Sequence, residues 1–164
     1  MIQGLTRLHS GEPACQKRSD GDHLRFVIHC IDNDELRFDF TLELNGFKSW
    51  SVPELPSMNP LDQRLVKEDK LKGDHILESC FGQTGEVKMW DKGNYIPIDD
   101  RGNVLSEYQA INCLKEGALK FFLQGTKLVG EFVLMKKGKK SWLLMKRHDE
   151  FALYSNYSFE AIAG

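Results

Sequence analysis

No C-x-x-C pair occurs in this sequence, no apolar run approaches a membrane span, and no glycine-rich phosphate loop is present. Each absence removes a class. Without C-x-x-C spacing the four cysteines, Cys15, Cys30, Cys80 and Cys113, do not form a zinc knuckle and read as reduced structural thiols. Without an unbroken apolar stretch of roughly 20 residues there is no helical span. The opening MIQGLTRLHSGEPACQKRSDGDH lacks an apolar h-region, so a secretory signal is not expected. The motifs G-x-x-x-x-G-K-S/T, G-x-G-x-x-G, H-E-x-x-H and G-x-S-x-G are all missing. A cytoplasmic protein with a large core is the expectation.

An excess of charge of either sign is also missing. The formal net charge is −2, so no global basic field announces nucleic acid, although a local patch can still do so. What is present is an ordinary globular balance, 41% hydrophobic and 28% charged over 164 residues, which suits one compact domain.

Residues 1–22 are polar and rich in Gly, Ser, Lys and Asp, and read as a flexible N-terminal arm. The domain is expected over 23–164. LRFVIHC reads as a strand, and IDNDE as a turn. ELRFDFTLEL alternates: Leu36, Phe38, Phe40, Leu42 and Leu44 share one face, and Arg37, Asp39, Thr41 and Glu43 the other. Asn45-Gly46 then predicts a hairpin into FKSWSV, because both turn residues need positive φ. GEVKMWDKGNYIPI reads as a strand, a Lys-Gly turn and a short strand. VLSEYQAINCLKEG has helical spacing through Leu105, Tyr108, Ile111 and Leu114, with Gly117 as its cap. ALKFFLQG, KLVGEFVLMKK and SWLLMKR are three further strands. About eight short strands joined by hairpins predict a mainly β protein, an antiparallel β-barrel with one or two short helices.

The candidate chemistry is sparse. The five histidines, at 9, 23, 29, 75 and 148, are scattered. By strand parity His29 can approach Asp39, but two donors fall short of the three expected of a catalytic divalent site. Arg37 and Asp39 lie two apart on one strand face. They suit an ion pair, and Arg37 equally suits a phosphate fork. MKKGKKSW places Lys136, Lys137, Lys139 and Lys140 within five residues, with Lys146 and Arg147 on the strand that follows. This basic tip fits either a phosphate backbone or a solvated hairpin.

The collinear segments FVIHCIDNDELRFDFTLELNGFKSWSVP, NPLDQRLV, KEDK, VKMWDKGNY, LKEGALKFFLQGTKLVGEFVLMK and SWLLMKRHDEFA resemble the 3′-phosphoesterase domain of bacterial DNA ligase D. The resemblance runs from about Leu24 to Ala152, and SGEP is a faint echo of the family's N-terminal arm. It implies a β-barrel with a polar crevice. It also implies a manganese-dependent activity that trims 3′-phosphate and 3′-ribonucleotide ends to a 3′-hydroxyl in end-joining repair. The family pattern it implies is His, a second His six residues on, and Asp two further, a sensible donor set for a divalent ion that activates water.

Here that frame falls on Ile31, Arg37 and Asp39, so only the aspartate matches. The family's arginine two residues later is Thr41. The histidine closing its E-D-H motif is Lys70, although Glu68 and Asp69 match. The tyrosine of a later glycine-rich turn falls on Phe81. Ile31 cannot bind a metal, and Arg37 puts a fixed positive charge where the cation would lie. Three readings follow. The first is an impaired relative that needs no cofactor and binds DNA ends or a repair ligase or polymerase subunit. Its phosphate contacts would be Arg37, Lys70 and the lysine tip. The second is a manganese-dependent enzyme with a rearranged site, recruiting His29, His75 or Glu68 beside Asp39. The third is a protein-interaction module without nucleic acid.

Overall fold

In a computed structural model the described residues are 24–32, 36–69 and 87–154. They form eight antiparallel strands and one helix: β1 (Leu24–Asp32), β2 (Leu36–Glu43), β3 (Phe47–Val52), β4 (Arg64–Asp69), β5 (Val87–Ile98), α1 (Glu107–Glu116), β6 (Ala118–Gln124), β7 (Val129–Lys136) and β8 (Ser141–Lys146). The strands close in the order β1-β2-β3-β4-β8-β7-β6-β5. Two four-stranded meanders are therefore stitched together by the β4–β8 and β1–β5 pairings, and none of these eight strands is left as an edge. Residues 1–22, including SGEP, and the tail from 155 lie outside the described residues. No helix among the described residues is long and apolar enough to cross a membrane.

The alternation read in β2 sets the inside of the barrel. Phe38, Phe40, Leu42 and Leu44 are buried, and they meet Phe26, Ile28, Trp50, Phe121, Phe132 and Trp142 in one core. Phe40 stacks on Phe121, and Phe121 on Phe132, at ring separations of 5.9 and 6.3 Å. Leu36, expected on the same face, lies at the strand end and is 46% exposed. At the β2–β3 hairpin Asn45 and Gly46 both take positive φ, 49° and 97°. The ladder closes on Glu43 and Phe47, so Leu44 belongs to the loop while its side chain still enters the core.

Two expectations are corrected. Lys92-Gly93 does not turn the chain. Both residues lie inside β5, a continuous strand of 12 residues paired with β1 on one side and β6 on the other. The glycine serves close approach instead, since a Cβ on Gly93 would stand 2.1 Å from the Gln124 carbonyl oxygen. The helix also begins later than its apolar spacing suggests. Ser106 is its N-cap, and the Ser106 and Gln109 side chains each accept from the other's backbone N–H. That leaves Leu105 ahead of the first turn, donating its N–H to the Pro97 carbonyl. Gly117 caps the other end at φ 102°, as the sequence indicates.

Candidate functional site

A strand that buries its odd and even residues alike must have matter on both faces. β1 does so from Phe26 to Ile31. Phe26, Ile28 and Cys30 point into the barrel; Val27, His29 and Ile31 point outward and are still buried. The register then builds a polar face. Ile31 stands opposite Arg37, His29 opposite Asp39, and Val27 opposite Thr41. Across β3 and β4 the rows continue, Asp39 to Ser51 to Lys67 and Thr41 to Ser49 to Asp69. Directly opposed residues on one face bring their Cβ atoms to about 5 Å, so His29 and Asp39 are neighbours, as parity suggests.

The face is polar but only partly wet. Thr41 and Ser49 are buried, with their hydroxyls 3.1 Å apart. Asp39 is half-buried, and its Oδ1 accepts no hydrogen bond from a described residue. The nearest cation is Arg37, whose Nε lies 3.7 Å from that oxygen, an ion-pair distance beyond hydrogen-bond reach. Burial pushes the Asp39 carboxyl above the ordinary aspartate value. The Arg37 charge pulls it down, and Asp69 pushes it up again, leaving a net rise. The Arg37 side chain is 47% exposed, so its guanidinium is reachable from solvent.

Glu68 is not part of this face. It is paired with Trp50 on the core-facing side of β4, and its Oε1 accepts from Trp142 Nε1 at 3.0 Å. Recruiting Glu68 beside Asp39 would require the strand to turn over. Lys70, Phe81 and His75 lie outside the described residues. Asp69, which matches the family's E-D-H motif, joins this face, and Lys67 is the member that sequence reading passed over. The charged run KED obscures the alternation of β4, although Lys67 and Asp69 share the parity that faces outward.

The lysine tip forms the β7–β8 turn, and Lys136, Lys137, Lys139 and Lys140 are exposed. The Lys140 carbonyl accepts from the Glu68 N–H at 2.8 Å, which ties the tip to β4. Lys136 Nζ lies 5.7 Å from the Trp142 ring. Lys146 must be removed from this basic surface. Its ammonium is fully buried, salt-bridged to Asp149, and donates to the Arg147 carbonyl at 3.0 Å. Arg147 turns toward Glu131 at 3.9 Å.

Among the described residues, the three positions of the family pattern carry side chains that do not suit a divalent cation. An aliphatic side chain and a guanidinium occupy two of the three positions that the family pattern gives to metal ligands. The remaining carboxylate already lies beside the guanidinium. No group of three or more His, Cys, Asp or Glu side chains among the described residues could hold a metal ion. Cys30 and Cys113 are free, and burial, reinforced by neighbouring acids, pushes both thiols up.

Comparison with known proteins agrees with this architecture. A family model for the DNA ligase D 3′-phosphoesterase domain matches residues 29–136. The multifunctional non-homologous end joining protein LigD of Pseudomonas aeruginosa is 34% identical over 155 residues. That match takes in 84% of this chain but only 17% of the relative's own length. With its family-model match over most of the barrel and this degree of identity, the chain belongs to the DNA ligase D 3′-phosphoesterase domain family.

Proposed function

We propose that this domain serves DNA repair by binding phosphate-bearing DNA ends without hydrolysing them, with a fixed guanidinium taking the role that a metal ion has in the family pattern. The observation that carries the reading is the position of Arg37. It faces Ile31 across β1 and β2, and it lies beside Asp39, the retained member of the His-His-Asp pattern, with nearly half of its side chain open to solvent. A guanidinium offers a planar fork to a terminal phosphate and needs no divalent ion to do so. Lys70 is the second basic replacement in the family frame, and the exposed lysine tip supplies a backbone contact. Repair ligase or polymerase subunits are the proteins that such an end would be passed to.

The test is fluorescence polarisation with primer–templates ending in 3′-phosphate or 3′-hydroxyl. Tighter binding of the phosphate end is expected, with loss of that preference in Arg37→Ala and Lys70→Ala. Unchanged preference in both variants, or no binding at low salt where phosphate contacts are strongest, would sink the reading.

One observation favours a second reading, an active enzyme with a rearranged site: His29 and Asp39 stand directly opposite one another. Calorimetric titration with manganese and an assay for released phosphate separate the two. Metal binding tighter than millimolar, together with phosphate release that His29→Ala abolishes, would establish the enzyme.

A further inference from the structure

The outward face of a closed barrel in a monomer is expected to be charged or polar, as it is over β2 and β3. One row across β4, β8, β7 and β6 departs from this. Leu65 pairs with Leu143, Leu143 with Met135, and Met135 with Ala118, in one row running across four strands. Leu65 is 57% exposed and Met135 36% exposed, Leu143 is partly exposed, and Ala118 is exposed. All four point away from the core, because their chain neighbours Val66, Trp142, Leu144, Leu134 and Leu119 fill the barrel. A contiguous exposed apolar row with a polar border is the mark of an interaction surface.

The border is one-sided in charge. Lys67 lies two residues beyond Leu65 on the same face, paired with Ser141. The turn that follows Met135 carries Lys137, Lys139 and Lys140. None of these four lysines forms an ion pair with a carboxylate among the described residues. The surface is therefore an apolar strip with a free cationic flank, and Lys67 is where it adjoins the face that holds Arg37 and Asp39.

We infer that this strip docks an amphipathic protein helix with acidic residues along one flank of its apolar face. The spacing supports a helix. Strands stand about 4.8 Å apart, and a helix laid across them advances about 5.4 Å per turn. Side chains at i, i+3 or i+4, and i+7 thus meet successive strands, one anchor per strand, over Leu65, Leu143 and Met135. Charge complementarity selects the flank, since glutamates beside the anchors reach Lys67 and the tip lysines. A nucleic-acid backbone would use the lysines but leave the leucines without a partner.

The probe is a fluorescein-labelled helix-forming peptide with leucines at i, i+4 and i+7 and glutamates on one flank, titrated with the whole chain by anisotropy. Saturable binding is expected. Leu65→Ser combined with Leu143→Ser weakens it at least tenfold, and Lys139→Glu combined with Lys140→Glu weakens it at least fivefold. The same peptide with lysine for glutamate binds at least tenfold more weakly. These substitutions fall on exposed or partly exposed side chains, and thermal melts establish that the variants are folded. No saturation up to about 1 mM of the chain, or equal binding of both peptides or of the leucine variants, overturns the inference. Sedimentation velocity provides the competing outcome: self-association that Leu65→Ser abolishes would assign the strip to a second copy of the chain and overturn it too.

Discussion

The guanidinium of Arg37 lies with its Nε 3.7 Å from Oδ1 of Asp39, on the outer face of β2 and directly across from Ile31. The three residues occupy one small area where the family pattern has two histidines and an aspartate. Replacing Ile31→His and Arg37→His together should rebuild a donor set of two imidazoles and a carboxylate. Calorimetry should then find manganese bound at least tenfold more tightly than by the parent chain. No gain in a variant whose circular dichroism matches the parent's would mean that the cradle itself has changed shape.

Asp39 should be a stability cost at neutral pH. Burial raises its carboxyl above the ordinary value, so the folded state prefers the protonated form. A raised acid contributes stability that is fully present below its unfolded pKa, about 4, and lost as pH rises through the folded value. Asp39→Asn should therefore melt higher than the parent at pH 7, with the difference shrinking toward zero under acid. Thermal melts across that range decide it, and a lower melting temperature at pH 7 would show that the Arg37 pairing outweighs burial.

Asp149 should behave in the opposite sense. Burial pushes its carboxyl up, but Lys146 and the backbone N–H groups of Glu131 and Phe151 outweigh that and hold it below the ordinary value. Its contribution is present above the unfolded pKa and is lost as pH falls through the folded one. Because the Lys146 ammonium is fully buried, Asp149→Ala should cost about 3 kcal/mol at pH 7 in urea unfolding. The double change Lys146→Met with Asp149→Ala should cost less than the single one. A loss below about 0.5 kcal/mol for Asp149→Ala would mean that water reaches the stranded ammonium.

Gly93 tests the continuity of β5. Its missing Cβ would lie 2.1 Å from the Gln124 oxygen, a backbone atom that cannot swing away. Gly93→Ala should destabilise by about 2 kcal/mol, within the span of about 1–3 kcal/mol typical of overpacking. Gly138→Ala, whose nearest neighbour would be 3.7 Å off, should be close to neutral. Equal melting temperatures for the two variants would contradict the close approach of β5 and β6.

Much of the barrel is legible along the chain because its signals are local. The alternation of β2, the positive-φ demand at Asn45-Gly46, and the Gly117 cap each depend on a few consecutive residues. Alternation also places His29, Arg37 and Asp39 on outward faces. The family itself is carried by collinear segments that need no contact to be read. What only the tertiary structure decided is non-local. Lys92-Gly93 looks like a turn until β6 is seen pressed against it, and Lys146 looks like part of a basic surface until Asp149 folds back over it. Glu68 and Asp69 are neighbours in sequence, yet barrel closure through β8 commits one to Trp142 and leaves the other near Asp39. The apolar strip exists because β4 and β8, far apart in the chain, pair in a register that aligns Leu65 with Leu143. Local periodicity decides which way a side chain points. The register between distant strands decides what it meets, and that register is set by closing the barrel around its core.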